Sequence, residues 1–224
     1  KELEDWFPGR WSPRRAIQDD LRVVAQAVAN ATKAAGWWTA GQTVDAGLVV
    51  GIDLHGWGPM SRWIASLADH SEGKTLRPSV FLHALPSTPA STLGLLFGLE
   101  RYQATLDMGP LSGVAALAHA LDQLTLGRLE RVVVASLSAV DPAVAARLPQ
   151  PLAGEVDAFR LGVALCLEQG QGVTCRASQR GEPPADAVSS DTLLDDLPSG
   201  YRMLAAPSLL AVLRANDAGM KQSV

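Results

Sequence analysis

The sequence predicts an α/β fold in which helices cover a central sheet. Two observations support this prediction. Short, continuous apolar runs are typical of strands buried on both faces, and longer runs with helical spacing lie between them. Hydrophobic residues make up 47% of the 224 positions and charged residues 19%, which is enough apolar material for one sizeable core. With no internal repeat and no linker, residues 1–224 are expected to form a single domain.

The first part of the chain is predicted to hold an arm, two helices and a strand. Proline and glycine interrupt residues 1–15, so this arm is expected to be irregular. Residues 16–35 carry apolar side chains at helical spacing, and Gly36 follows them as a stop signal. The apolar run Ala46–Asp53 predicts a buried strand. Gly58 then opens a second predicted helix that extends to about Ala68.

The next predicted helix carries two glycines at an unusual place. An apolar stretch, Val80–Leu85, comes first, and a helix-compatible run follows from Ser91 to Leu99. Gly94 and Gly98 weaken a helix interior, but small residues four positions apart allow another element to approach its backbone. We therefore expect this helix to be pressed against a neighbouring element.

The second half of the chain continues the alternation of strands and helices. Three elements are predicted in its first part: a strand at Tyr102–Asp107, a long helix at Ser112–Leu126 and a buried strand at Arg131–Ala135. A surface loop is expected at residues 181–200, which are rich in Pro, Ser and Asp, and a last short helix at residues 208–214.

A hairpin is predicted between Leu161–Leu167 and Gly172–Ser178, which flank a short polar turn. Cys166 and Cys175 stand at symmetric positions about that turn, so they are expected to face each other across the hairpin. Two reduced, buried thiols are favoured over a disulfide in a reducing compartment. Two cysteines form no zinc site, and neither a metal nor a cofactor is expected.

Charge and hydropathy exclude two classes of partner. The net charge is −4 at pH 7 and the pI is about 5.5, which argues against a dedicated nucleic-acid-binding protein. No run of about 18 apolar residues is present, so no membrane span is expected. The first eight residues lack the apolar core of a signal peptide. A cytoplasmic location is the expectation.

The segment from Thr105 to Gly113, which reads TLDMGPLSG, has the layout of a nucleophile turn. An extended stretch enters a glycine-flanked turn, and an Ala/Leu-rich helix follows. Several enzyme classes place a nucleophile in such a turn, because the turn projects one side chain and the helix N-terminus favours developing negative charge. Here Pro110 stands at the apex. Proline offers neither a nucleophile nor a backbone N–H.

Ser112 is the rival nucleophile in the same turn, which would make the protein a small Ser-dependent acyltransferase or thioesterase. The pattern from Gly109 to Gly113 is not the G-x-S-x-G of hydrolases, however. The alternative role for Ser112 is a helix N-cap whose hydroxyl accepts a free backbone N–H. His119 follows two helical turns later, roughly 10 Å away, which is too far for it to act as the base.

Four stretches resemble the N-terminal half of β-ketoacyl synthases in order and spacing. They are Pro86–Leu99, Asp107–Leu121, Gly127–Ala135 and Leu161–Glu168. The resemblance covers roughly residues 15–180. It implies a thiolase-like half-fold: a layered α-β-α arrangement around a mixed sheet, lacking the C-terminal half of a ketosynthase.

The departures from the family carry the functional prediction. In active members, a cysteine precedes by three residues the glycine that is here Gly113, and Pro110 occupies that position. Active members also take two histidines from the C-terminal half, and none of the four histidines here lies in a matching motif (His55, His70, His83, His119). The chain is most similar to short ketosynthase-like proteins related to chain length factors. These are non-catalytic partners of a ketosynthase in polyketide and aryl polyene systems.

The resemblance therefore implies a non-catalytic subunit that pairs with an active β-ketoacyl-ACP synthase in fatty acid or polyketide biosynthesis and meets an acyl carrier protein through that complex. A homodimeric acyl-binding scaffold is the remaining alternative. Four apolar residues are expected to shape an acyl pocket, with ordinary core packing as their alternative role: Leu96, Phe97, Met108 and Leu111. One strand is expected to pair across the dimer's two-fold axis: Tyr102, Gln103, Ala104, Thr105, Leu106, Asp107 and Met108.

Two sets of charged residues have simpler explanations than a binding site. Arg10, Arg14 and Arg15 form a small basic cluster that could meet an acidic carrier protein, although a solvated patch is the plainer interpretation. Asp19–Asp20 and Asp195–Asp196 are interpreted as solvated faces or helix-start charges, not as metal ligands.

Overall fold

The computed structural model of the protein describes residues 19–38, 42–70, 78–141, 159–170 and 174–176. Five strands of these segments form one mixed sheet with the order β2-β1-β3-β4-β5. Their bounds are β1 Gly47–Asp53, β2 Gln103–Asp107, β3 Arg131–Val140, β4 Phe159–Glu168 and β5 Thr174–Arg176. Strand β1 runs parallel to both β2 and β3, whereas β4 is antiparallel to β3 and to β5. The predicted α/β class is confirmed.

Helices cover both faces of this sheet. Their bounds are α1 Asp19–Ala34, α2 Trp57–His70, α3 Pro78–Leu82, α4 Thr88–Phe97 and α5 Ser112–Thr125, with a 3₁₀ turn at Gly109–Leu111. Helices α1 and α4 pack with the sheet into one core, and α5 packs with the opposite face into a second. The described residues therefore form the expected α-β-α layers.

Strand β1 is covered on both faces of the sheet, which explains its apolar run. Leu48, Val50 and Ile52 belong to the core under α1 and α4, whereas Val49 belongs to the core under α5. Side chains alternate between the faces of a strand, so a strand covered on both faces needs apolar residues at every position. All seven residues of β1 are buried.

Close backbone contacts set the spacing of the two helical layers. A Cβ atom at Gly162 of β4 would lie 2.6 Å from Val24 Cα, so α1 rests directly on that strand. On the other face, a Cβ atom at Gly51 of β1 would collide with the carbonyl group of Ser112. The first turn of α5 therefore lies against the sheet at a point where no side chain fits.

The predicted close approach of helix α4 is confirmed, although its bounds differ from the prediction. The helix begins at Thr88 and ends at Phe97, and Gly98 is its C-cap with a left-handed φ of 67°. Glycine adopts this conformation without a steric penalty, which explains why the helix ends there. A Cβ atom at Gly94 would overlap the Gln103 side chain of β2.

Other boundaries moved for identifiable reasons. The predicted strand at Arg131–Ala135 extends to Val140, because Ser136 and Ser138 are buried in the sheet and do not end it. The apolar stretch at 80–85 forms the short helix α3 and a turn. The expected arm, the loop at 181–200, the helix at 208–214, the three arginines and Asp195–Asp196 all lie outside the described residues.

The predicted hairpin of β4 and β5 is present, but the expected cysteine pairing is wrong. Cys166 pairs with Arg176, and Cys175 pairs with Leu167. The two cysteines are thus out of register by one residue, because the turn contains one more residue than a symmetric reading of the sequence assumes. Cys166 is a buried free thiol, and burial raises its pKa to about 12.

None of the helices in the described segments has the length and apolar character needed to cross a membrane. No three side chains among His, Cys, Asp and Glu of those same segments are grouped closely enough to hold a metal ion.

Candidate functional site

The predicted strand-turn-helix around Pro110 is confirmed. Strand β2 ends at Asp107, the 3₁₀ turn follows, and α5 begins at Ser112. Gly109 has a left-handed φ of 57°, the conformation that turns the chain sharply and that glycine tolerates. Pro110 then occupies the start of the 3₁₀ turn, where its missing N–H breaks no hydrogen bond and its fixed φ is compatible with the turn. Its side chain is exposed.

Ser112 does not cap the helix in the way expected. Leu111 holds the N-cap position and Ser112 is the first residue of α5. Its hydroxyl reaches backwards instead, accepting the Met108 N–H at 2.7 Å and donating to the Gly109 carbonyl at 2.7 Å. The residue is fully buried. Both the proton and an acceptor site of the hydroxyl are therefore used to close the turn, and no solvent reaches it.

His119 is engaged elsewhere. Its Nε2 lies 2.6 Å from Tyr102 Oη, and the two rings stack with centroids 5.9 Å apart and an interplanar angle of 22°. The phenol donates to Nε2 when the imidazole proton is on Nδ1. This pair ties α5 to the start of β2, which gives no support to His119 as a base for Ser112.

Strand β2 is at the edge of the described sheet, pairing with β1 alone. The Leu48 N–H donates to the Tyr102 carbonyl at 2.8 Å. In a parallel ladder this bond turns the N–H of Ala104 towards β1 and the N–H of Thr105 away from the sheet. The outer side of β2 thus presents backbone groups to which a further strand could pair.

The four predicted pocket residues do not form one group. Phe97 is fully buried in the α1/α4 core, where it meets Trp38 edge-to-face with centroids 5.5 Å apart, and Leu96 packs against the same core. Met108 and Leu111 are 57% and 62% exposed at the turn. Phe97 therefore packs as core, whereas Met108 and Leu111 are exposed on the turn that follows β2.

The floor beneath the turn includes a polar group that the sequence analysis did not single out. Ser136 of β3 pairs with Gly51 in the sheet, the residue on which the first turn of α5 rests. Its Oγ is buried and has no hydrogen-bond partner within the described segments. Hydroxyl side chains are usual in loops and at helix caps. A serine between apolar residues of a strand was therefore the sequence signal for a buried polar group here.

A second buried pair lies at the carboxyl end of β1. The His55 Nδ1–H donates to Asp20 Oδ2 at 3.0 Å, and the His55 side chain is fully buried. Asp20 is in the first turn of α1, as interpreted, but it is not a solvated charge: its side chain is 13% exposed. Burial would raise its pKa, but the hydrogen bond and charge attraction of His55, with backbone N–H groups, lower the pKa overall.

Comparison with known proteins connects this arrangement to one fold. No protein-family model matches the sequence, and no curated protein matches it. Among solved structures, a ketosynthase (ApeO) in complex with its chain length factor (ApeC) from Xenorhabdus doucetiae matches with a TM-score of 0.51 and 17% identity over 75% of this chain. The ishigamide ketosynthase/chain length factor matches with a TM-score of 0.56 and 15% identity over 76% of it.

A β-ketoacyl synthase from Burkholderia phymatum gives a TM-score of 0.52 with 18% identity over 73% of this chain. The chain has the thiolase-like fold of ketosynthases. The chain spans 66%, 51% and 47% of the length of these three solved chains. At these identities the likeness shows the fold alone.

Proposed function

We propose that this chain is a non-catalytic ketosynthase-like subunit that pairs with an active β-ketoacyl synthase, in the manner of a chain length factor. The observation that carries the proposal is Pro110 at the apex of an intact strand-turn-helix. The scaffold that positions a nucleophile is present, while the residue at its apex has no group that can form an acyl intermediate.

The rest of the turn supplies no substitute nucleophile. Ser112 is buried, and its hydroxyl is committed to Met108 and Gly109. A serine nucleophile needs a base within hydrogen-bond reach and a path for substrate. His119, the nearest histidine along α5, is bound to Tyr102. We therefore assign shape and partnership, not acyl transfer, to this turn.

The edge strand supports pairing with a second subunit. Backbone groups on the outer side of β2 can extend the sheet into a partner, and the exposed Met108 and Leu111 can be buried in the same contact. In the proposed complex, the partner supplies the reactive cysteine and histidines. This chain helps to shape the space for the growing acyl group, and the complex as a whole receives the acyl carrier protein.

The test is co-expression with an active β-ketoacyl synthase of the same organism, followed by size-exclusion chromatography. A complex of equal stoichiometry is the expected result. Formation of a stable homodimer that does not bind the ketosynthase would favour the alternative of a homodimeric acyl-binding scaffold. Condensing activity of this chain alone would overturn the proposal.

A further inference from the structure

The loop that follows β1 has a strained backbone. Leu54 has φ 57°, and it is the one non-glycine residue of the described segments with a positive φ. The left-handed conformation is unfavourable for residues other than glycine, asparagine and aspartate, and such strain persists only where surrounding contacts impose it. The contacts of the next two residues identify what holds this loop in place.

The first restraint is the buried pair at His55. The ring is fully buried and donates through Nδ1–H to Asp20 Oδ2 at 3.0 Å, which ties the loop to the first turn of α1. The other ring nitrogen, Nε2, is buried without a partner in the described part of the chain. A buried ring nitrogen without a hydrogen-bond partner opposes the closed arrangement, because solvent would supply one.

The second restraint is a backbone contact at Gly56. A Cβ atom there would lie 2.6 Å from the Ala84 carbonyl oxygen, so the loop rests directly on the turn between α3 and α4. The Gly56 carbonyl also accepts the Met60 N–H at 2.8 Å, which begins α2. On the facing turn, His83 Nδ1 is buried and lacks a partner within the segments described.

The position of the loop suggests what its movement would expose. Strands β1 and β2 are parallel, with Ile52 opposite Asp107, so their carboxyl ends meet at one edge of the sheet. Leu54 follows β1 at this edge, and the Pro110 turn follows β2 beside it. Ligands of open α/β sheets bind at this edge.

We propose that Leu54–Gly56 is a gate with two states at the carboxyl edge of the sheet. In the closed state, the Asp20–His55 hydrogen bond holds Leu54 in its strained conformation and keeps Nε2 in the interior. In the open state, the backbone of Leu54 relaxes and Nε2 gains a hydrogen-bond partner, which is water or a small molecule bound at this edge. The proposal is independent of pairing with a ketosynthase.

The test is the rate at which diethyl pyrocarbonate modifies His55 in the folded protein, followed by peptide mass spectrometry. The reagent reacts with an accessible ring nitrogen, so the rate reports how often the gate opens. Modification of His55 faster than global unfolding is the expected result. Asp20→Asn weakens the restraint and should raise the rate about tenfold. Leu54→Asn lowers the strain of the closed state and should reduce the rate severalfold, because asparagine tolerates this φ.

His119 provides an internal control, since it lies on α5 and is bound to Tyr102. Its modification rate should be the same in all three proteins. Modification of His55 only as fast as the whole protein unfolds would overturn the gate, and so would equal His55 rates in the wild type and Leu54→Asn. The second comparison keeps the proposal testable even where Asp20→Asn fails to fold.

Discussion

Ser112 Oγ accepts the backbone N–H of Met108 at 2.7 Å and so closes the turn between β2 and α5. The contact gives the most conspicuous hydroxyl of the candidate site a structural task. The turn keeps the shape of a nucleophile site, but Pro110 stands at its apex. Ser112, whose hydroxyl could otherwise serve as a nucleophile, stabilises this turn instead.

Removal of that hydroxyl should destabilise the fold. Ser112→Ala leaves the Met108 N–H and the Gly109 carbonyl without their partner, and the expected loss is about 1–3 kcal/mol in the free energy of unfolding. Urea denaturation measures it. Ser91→Ala is the matched control, because Ser91 lies exposed on α4 and its loss should change stability by less than about 0.5 kcal/mol. Equal effects of the two substitutions would contradict the assigned role.

The same burial predicts that Ser112 does not react as an enzyme nucleophile. A fluorophosphonate probe labels serines that are accessible and activated by a base. Ser112 is fully buried, so no labelling of the folded protein is expected. Mass spectrometry of the probe-treated chain checks this. Labelling at Ser112 that is abolished in Ser112→Ala would restore the acyltransferase or thioesterase alternative.

The Asp20–His55 pair predicts a dependence of stability on pH. The pKa of Asp20 is lowered in the folded protein from its ordinary value of 3.8. The carboxylate therefore stabilises the fold above pH 3.8, and this contribution is lost as the pH falls through the lower folded-state pKa. Urea unfolding from about pH 6 down to about pH 2 should show this loss in the wild type.

Asp20→Asn removes the titrating group and is the control for that experiment. The stability difference between wild type and variant should be largest near pH 6 and should shrink on acidification. A constant difference over the whole range would show that the carboxylate charge contributes nothing to the pair.

Cys166 should be unreactive until the protein unfolds. Burial raises its pKa to about 12, so at pH 8 the thiolate, which is the reactive form, is almost absent. Iodoacetamide at pH 8 should leave Cys166 unmodified in the folded protein and modify it fully in concentrated urea. Rapid modification of the folded chain at this position would show that β4 is not covered as described.

The sequence predicted what depends on local pattern. The apolar run of β1 and the helical spacing of α1 and α5 are local features of the sequence. The predicted bounds of these three elements therefore lie close to the observed ones. Other features depend on tertiary structure. The Asp20–His55 contact joins residues 35 positions apart, and no local signal distinguishes it from a solvated helix start.

Three further details were beyond sequence patterns for the same reason. A serine at a helix start matches an N-cap, and only the hydrogen bonds of the folded turn show that the hydroxyl reaches backwards to Met108 and Gly109. The register of Cys166 and Cys175 depends on how many residues the hairpin turn contains, which spacing alone left open. Phe97 has an apolar side chain that suits both a pocket and a core, and the packing against Trp38 places it in the core.

The most direct test of the proposed partnership is Thr105→Pro, examined by size-exclusion chromatography after co-expression with an active β-ketoacyl synthase of the same organism. The Thr105 N–H points away from β1, so proline there should block pairing along the outer edge of β2 while the chain still folds. Ala104→Pro is the contrasting control, because it removes a hydrogen bond to β1 and should destabilise the chain itself. Wild-type chain should co-elute with the ketosynthase and folded Thr105→Pro should not; undiminished co-elution of the variant, or no association of the wild type, would contradict the account.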